Sequence, residues 1–149
     1  MANEHITLEV VTPERAVLSE EVETVVLPGS EGQLGVLPGH LPLLTSLQIG
    51  EMVIRDEDGE RAFFVDEGFA EVLDDHVSVL TSECEGVSEI DIEKAREDVT
   101  VAEEEIERLE AKAEIEEEEE ELLGRYRTSL RRARMRLVVA GDEEEGGQG

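Results

Sequence analysis

Apolar residues recur at every second position up to about residue 86 and at every third or fourth position beyond it, so one uniform architecture cannot accommodate the whole chain. In the first part Ile6, Leu8 and Val10 alternate with Thr7 and Glu9, which marks a strand with one buried face. Further short runs follow at residues 22–27, 52–55, 62–65, 69–73 and 77–81. They are separated by turn residues at Pro28-Gly29, Pro38-Gly39, Asp58-Gly59 and Asp74-Asp75. Asp58-Gly59 between two apolar runs reads as a hairpin. Many short strands with no helical period between them predict an antiparallel β-sandwich or barrel over residues 1–86.

The second part, residues 87–140, reads as helix. Ile92, Ala95, Val99, Ala102, Ile106, Leu109 and Ala113 fall on one helical stripe, and Leu123, Tyr126, Leu130, Ala133, Leu137 and Ala140 on another. Ser88, three residues before Asp91, is placed as the first helix's N-terminal cap. Between the stripes lie six consecutive glutamates, residues 116–121. If the chain turns there, two helices pack as an antiparallel hairpin; if not, the phase carries on with a one-residue slip and a single long helix results. Glutamate repulsion costs a few tenths of a kcal/mol per adjacent pair at low salt and much less in concentrated salt. The two arrangements are therefore close in energy. Residues 141–149, rich in Glu and Gly, offer nothing to bury and are expected to be a disordered acidic tail.

Charge narrows the function. Of 149 residues 40 are acidic and 13 basic, giving a net charge of −27, which argues against nucleic acid or an anionic membrane as direct partner. An acid-rich surface with only two lysines suits a salt-rich cytoplasm, the alternative being an acidic protein of an ordinary one. Cys84 stands alone, so neither an intrachain disulfide nor a cysteine-based metal site is expected, and a reducing compartment follows. No targeting segment and no run of 18 apolar residues is seen, so a soluble chain without direct membrane insertion is expected.

Chemistry is sparse. His5, His40 and His76 are scattered, with no nucleophile or carboxylate constellation beside them. Gly29, Gly32, Gly35 and Gly39 lack the phosphate-loop pattern and read as turn residues. Asp56-Glu57-Asp58 lacks the spacing of a calcium loop, and no metal site is expected. The exception is arginine: Arg125, Arg127, Arg131, Arg132, Arg134 and Arg136 crowd the second helix outside its apolar stripe. Either acids of this chain neutralise them, or their guanidinium groups are offered to a phosphate or an acidic protein surface.

Residues 32–45, Gly-Gln-Leu-Gly-Val-Leu-Pro-Gly-His-Leu-Pro-Leu-Leu-Thr, resemble the signature loop of the ATP synthase epsilon subunit family. Residues 64–72, Phe-Val-Asp-Glu-Gly-Phe-Ala-Glu-Val, and 77–81, Val-Ser-Val-Leu-Thr, resemble its last sandwich strands, and the likeness runs over about residues 4–140. That resemblance implies a ten-stranded β-sandwich followed by a two-helix antiparallel hairpin, in a non-catalytic subunit of the rotating central stalk that couples proton flow to ATP synthesis. It implies a gamma and c-ring interface at Ser30, Glu31, Gly32, His40, Leu41, Pro42 and Leu43. It implies helices that can extend and restrain ATP hydrolysis, with Arg125, Arg131, Arg132, Arg134 and Arg136 meeting the alpha and beta catalytic subunits. No cofactor is required, but ATP could act as a regulatory ligand at Glu85, Ile90, Asp91, Lys94, Ala95, Arg132 and Arg136; Lys94 stands where nucleotide-binding members carry Arg, and keeps the charge without the planar fork. The expected location is peripheral, on the cytoplasmic face of the cell membrane. Two other readings stay open: a free-standing nucleotide sensor, and a static helical adaptor.

Overall fold

The computed structural model describes residues 4–142 and divides the chain into two compact units, Met1–Glu89 and Ile90–Gly149. In the first unit the chain forms β1 (Ile6–Val11), β2 (Ala16–Val22), β3 (Thr24–Gly29), β4 (Gly32–Val36) and β5 (Leu43–Leu47). It continues through β6 (Gly50–Asp56), β7 (Gly59–Val65), β8 (Gly68–Leu73), β9 (His76–Thr81) and β10 (Cys84–Gly86). The hydrogen-bonded order is β10-β7-β6-β3-β5-β8-β9-β1-β2, with β4 on β3. Between β3 and β5 the ladder narrows to the single pair Gly29 and Leu47, so the sheet turns a corner there and the strands on either side form two layers. Leu8, Val10, Val25, Leu27, Ile54, Val77 and Val79 are buried between them in one core.

The runs 52–55, 62–65, 69–73 and 77–81 each fall within a strand, whereas 22–27 straddles a bend at Glu23 between β2 and β3. Two strands lie inside the signature loop, because alternate side chains of β4 and β5 stay exposed and mask the period. The sandwich is not wholly antiparallel: β1 runs parallel to β9. No hairpin joins these two strands, so no tight turn dictates their direction, and alternation along a strand is silent about it. In the β6–β7 hairpin Glu57-Asp58 form the turn and Gly59 follows at φ +115°. Asp74 and Asp75 take positive φ at both central positions of the β8–β9 turn, as a type I′ turn requires.

Two interactions fix how β8 leaves its turn. A Cβ on Gly68 would lie 1.9 Å from the Leu80 carbonyl oxygen, so only glycine allows β8 to pass β9 this closely. The buried Thr81 hydroxyl donates toward the Asp66, Glu67 and Glu83 carbonyls at 2.8, 3.2 and 3.1 Å.

In the second unit α1 (Ile92–Glu110) and α2 (Glu117–Ala140) are the two helices of an antiparallel hairpin. Ala95, Val99, Ala133 and Leu137 are buried together, with Ile92 and Leu130 packed at their edge. The cap of α1 is Asp91, whose carboxylate accepts from the Lys94 amide at 3.0 Å; Ser88 lies in a preceding 3₁₀ turn, Val87–Glu89. Ala113 is exposed, because α1 stops at Glu110 and leaves it in the turn. The glutamate run opens α2 instead of bridging two helices, four of its carboxylates lying in the first turn where the helix dipole favours them. Gly141 and Asp142 were expected in the disordered tail. They instead close α2: Gly141 adopts φ +83°, and the Gly141 and Asp142 amides donate to the Val138 and Leu137 carbonyls at 3.1 and 2.8 Å. Arg96 holds the Asp142 carboxylate at 2.6 Å. The rest of the predicted tail lies outside the described residues.

Gly68→Ala is expected to cost about 3 kcal/mol or more in urea-induced unfolding, since the offending atom is backbone. Thr81→Val, nearly isosteric, is expected to cost about 1–3 kcal/mol by leaving buried carbonyls short of a donor.

Candidate functional site

In β5, β8, β9 and β1 one face is committed to the core, leaving the other to be water-compatible. It is only partly so. Register places Phe69 opposite Leu80, and Leu80 opposite Val11, in one row across three strands. Ala70, Val72, Val77 and Val79 alternate with them and are buried, so this row lies on the outer face. Leu44 pairs with Glu71, and Leu73 with His76, adding two leucines to that face. Phe69 and Leu80 are each 57% exposed and Leu44 70%, too much apolar side chain in one place for an isolated surface. Beside them a shallow groove of about 340 Å³ is lined by Val11, Pro13, Gly68 and Leu80. Glu9 and His76 meet at 3.3 Å on the same face.

Two loops flank this layer. Ser30-Glu31 is the turn between β3 and β4, and Gly32 at φ +128° receives the chain. The turn is tied to β5 by Ser30 N donating to the Ser46 carbonyl at 3.0 Å and by a 2.8 Å contact between the two hydroxyls. Glu31 projects free of these bonds and is exposed. Along residues 37–42 the Gly39 amide donates to the Asp75 carboxylate at 2.6 Å, pinning the loop to the β8–β9 turn. His40 Nδ1 lies 2.7 Å from the Leu41 carbonyl oxygen. Leu41 is 78% exposed and Pro42 is also exposed, whereas Leu43 packs on the core. The apolar run 41–44 is thus apportioned, with only Leu43 facing inward.

On α2 the arginines fall into two groups. Arg127 and Arg134 reach across to Glu110 and Glu103 of α1, at 2.6 and 2.7 Å. Arg125 and Arg131 are exposed and have no ion-pair partner among the described residues. Arg132 and Arg136 are half-buried and held by further contacts. Of the residues expected to hold a nucleotide, Lys94 contacts Asp98 at 2.5 Å, and the Arg136 cation lies near enough to oppose the Lys94 charge. Asp91 is occupied as a cap, Ala95 is buried in the helix contact and Ile90 is buried. Glu85 stands in the other unit, on β10.

The outer-face residues Val11, Phe69, Leu73 and Leu80 were absent from the sequence-derived sites. The available signal was apolar residues at consecutive positions of a strand, as in Leu43-Leu44 and Val79-Leu80, where alternation alone allows one to be inward.

A β-sandwich with one apolar outer face, joined to an arginine-bearing helical hairpin, defines a class of small two-unit protein. Residues 5–87 match the family described as ATP synthase, Delta/Epsilon chain, beta-sandwich domain. The chain is 40% identical over 135 residues to an ATP synthase epsilon chain of Nitratidesulfovibrio vulgaris, covering 91% of this chain and 95% of that one. It is 50% identical over 93 residues to that of Desulfatibacillum aliphaticivorans, covering 62% and 66%. A chain from the Euglena gracilis mitochondrial ATP synthase, in an OSCP, F1 and c-ring structure, has the same fold, with TM-score 0.73, 24% identity, and coverage of 88% and 78%. This chain belongs to the epsilon-chain family of the F-type ATP synthases.

Cys84, the one thiol, is buried, and desolvation, helped by the Glu89 carboxylate, pushes its pKa from 9.0 up to about 12. Because the folded value is the higher, the thiol's contribution to stability is complete below pH 9 and is lost as pH rises toward 12. Iodoacetamide at pH 8 is expected to alkylate Cys84 about 10³-fold faster in the unfolded chain than in the native one, read by mass spectrometry.

Proposed function

We propose that this chain is a non-catalytic subunit of the central stalk of an ATP synthase, transmitting rotation between the proton-driven ring and the catalytic head. The observation that carries this is the apolar outer face of β5, β8, β9 and β1. A layer exposing Leu44, Phe69 and Leu80 in a chain of net charge −27 needs a partner that supplies apolar area, and the gamma subunit is that partner. The c-ring meets the turn Ser30-Glu31-Gly32, while His40, Leu41 and Pro42 border the gamma contact. The outer face would be continuous with these loops, which gives the interface its rim.

The helices act as a brake on hydrolysis. In an extended form Arg125, Arg131, Arg132, Arg134 and Arg136 engage acidic segments of the alpha and beta subunits; in the hairpin, Arg134 is already committed to Glu103. ATP binding near Lys94, Arg132 and Arg136 favours the hairpin by its differential affinity. The subunit works peripherally on the cytoplasmic face of the membrane. No described helix is long and apolar enough to cross one, and the acid-rich surface fits a salt-rich cytoplasm.

The test adds either the full chain or residues 1–89 to a cognate catalytic head stripped of this subunit and follows ATP hydrolysis and gamma binding. The full chain is expected to inhibit, and residues 1–89 to bind without inhibiting. Binding by both with inhibition by neither would reduce the helices to a static adaptor. Phe69→Asp with Leu80→Asp is expected to weaken gamma binding at least about 100-fold; unchanged affinity would remove the outer face from the interface.

A further inference from the structure

The outward positions of the strands that carry the apolar face are not all apolar. Register aligns Glu71 of β8 with Ser78 of β9, and Ser78 with Glu9 of β1, in a row next to that of Phe69, Leu80 and Val11. Leu44 continues the row beyond Glu71, and Leu73 with His76 borders it on the other side. Two carboxylates thus stand inside an apolar surround, one on each side of a serine. Neighbouring strands lie about 4.8 Å apart, which puts the two glutamate positions about 10 Å apart with only the short Ser78 side chain between them. Glu9 has His76 at 3.3 Å, whereas the Glu71 carboxylate has no hydrogen-bond or ion-pair partner among the described residues. The strands β1, β5, β8 and β9 contain no lysine or arginine.

We infer that the gamma subunit places an arginine over Ser78, its guanidinium shared between Glu71 and Glu9, and that this contact decides which surface the face accepts. The inference rests on the reading of this face as the gamma interface. A partner closing over Leu44, Phe69, Leu73 and Leu80 takes the two acids out of water along with them. An ionised carboxylate so buried is strongly disfavoured unless a cation and hydrogen bonds meet it. The four strands hold no permanent cation of their own, so the partner supplies it. Arginine suits the gap better than lysine. Its planar, weakly hydrated fork carries five donors, enough for a carboxylate on each side and the Ser78 hydroxyl beneath, whereas an ammonium group is compact and strongly hydrated. Apolar burial then supplies the affinity and charge the selectivity, because a purely apolar patch would leave both acids unpaired.

The test titrates a cognate catalytic head, stripped of this subunit, with single variants of the full chain. Glu71→Gln, at an exposed position, keeps size and loses only charge; it is expected to weaken binding at least about 30-fold. Glu9→Gln is expected to act in the same direction and less, since Glu9 already has His76. Ser78→Leu, which adds apolar area but fills the gap, is expected to weaken binding as well. Glu57→Gln in the β6–β7 turn is expected to change nothing, which separates a local contact from the overall charge. One gamma arginine is expected to lose its reactivity toward phenylglyoxal when the unaltered chain binds, read by mass spectrometry. A purely apolar contact gains when an acid is neutralised, so affinity unchanged or raised by Glu71→Gln would overturn the inference, as would protection of no gamma arginine. Phe69→Asp with Leu80→Asp separates the two levels. If that pair weakens binding while Glu71→Gln does not, the gamma interface stands and the arginine falls; if neither does, the face is no interface and both fall.

Discussion

Everything in the first unit depends on a corner where two sheets share one pair of residues, Gly29 and Leu47. Two layers that bury each other's inner faces must be joined without a gap in the backbone bonding. Here the Gln48 amide donates to the Pro28 carbonyl, and its side chain to Gly29, at 2.9 and 3.0 Å. A Cβ at Gly50 would meet the Pro28 ring at 2.5 Å, and one at Gly29 the Gly32 carbonyl oxygen at 2.8 Å. Glycine at both places is what lets the chain fold this tightly. The corner also aims the Ser30-Glu31 turn and holds β5, so the position of one proposed contact loop and one edge of the apolar face descends from it.

The apolar face and the acidic surface answer different demands. Net charge acts at long range and is screened by salt, while apolar burial is short-ranged and indifferent to charge elsewhere. In the interface proposed above, a repulsive surface is thus compatible with docking through Phe69, Leu80 and Leu44. Burial also takes in the one thiol, Cys84 being part of the sandwich core.

Much of the fold was legible because the two hydrophobic periods belong to different physics, pleat in one half and helix in the other. The strands that stayed hidden were β2, β4, β5 and β10: β2, β4 and β10 lie at the edges of the sheet, and β2, β4 and β5 show water alternate residues, so their period is diluted. The parallel contact of β1 with β9 was invisible because direction depends on long connections. The helix ends were misplaced where two capping candidates lay close together: Asp91 displaced Ser88, and the Gly141-Asp142 pair read as tail by composition yet bonds as a helix terminus. Of the site, the signature loop stood out in the sequence, but the outer face did not. Leu44 and Leu80 each adjoin an inward apolar residue, and only the register across strands separates the two roles.

The seam between α1 and α2 relies on alanines, Ala95 and Ala133 among them, and small side chains make a smooth track that does not by itself resist sliding. Charge supplies the notches. Arg127 with Glu110 and Arg134 with Glu103 sit one heptad apart on both helices, and Arg96 with Asp142 continues the series. Slipping α2 by one heptad so that Arg127 moved to Glu103 would carry Arg134 onto Arg96, cation against cation. The lone arginine early in α1 therefore works as an alignment key, forbidding a misfit that the apolar seam alone would tolerate.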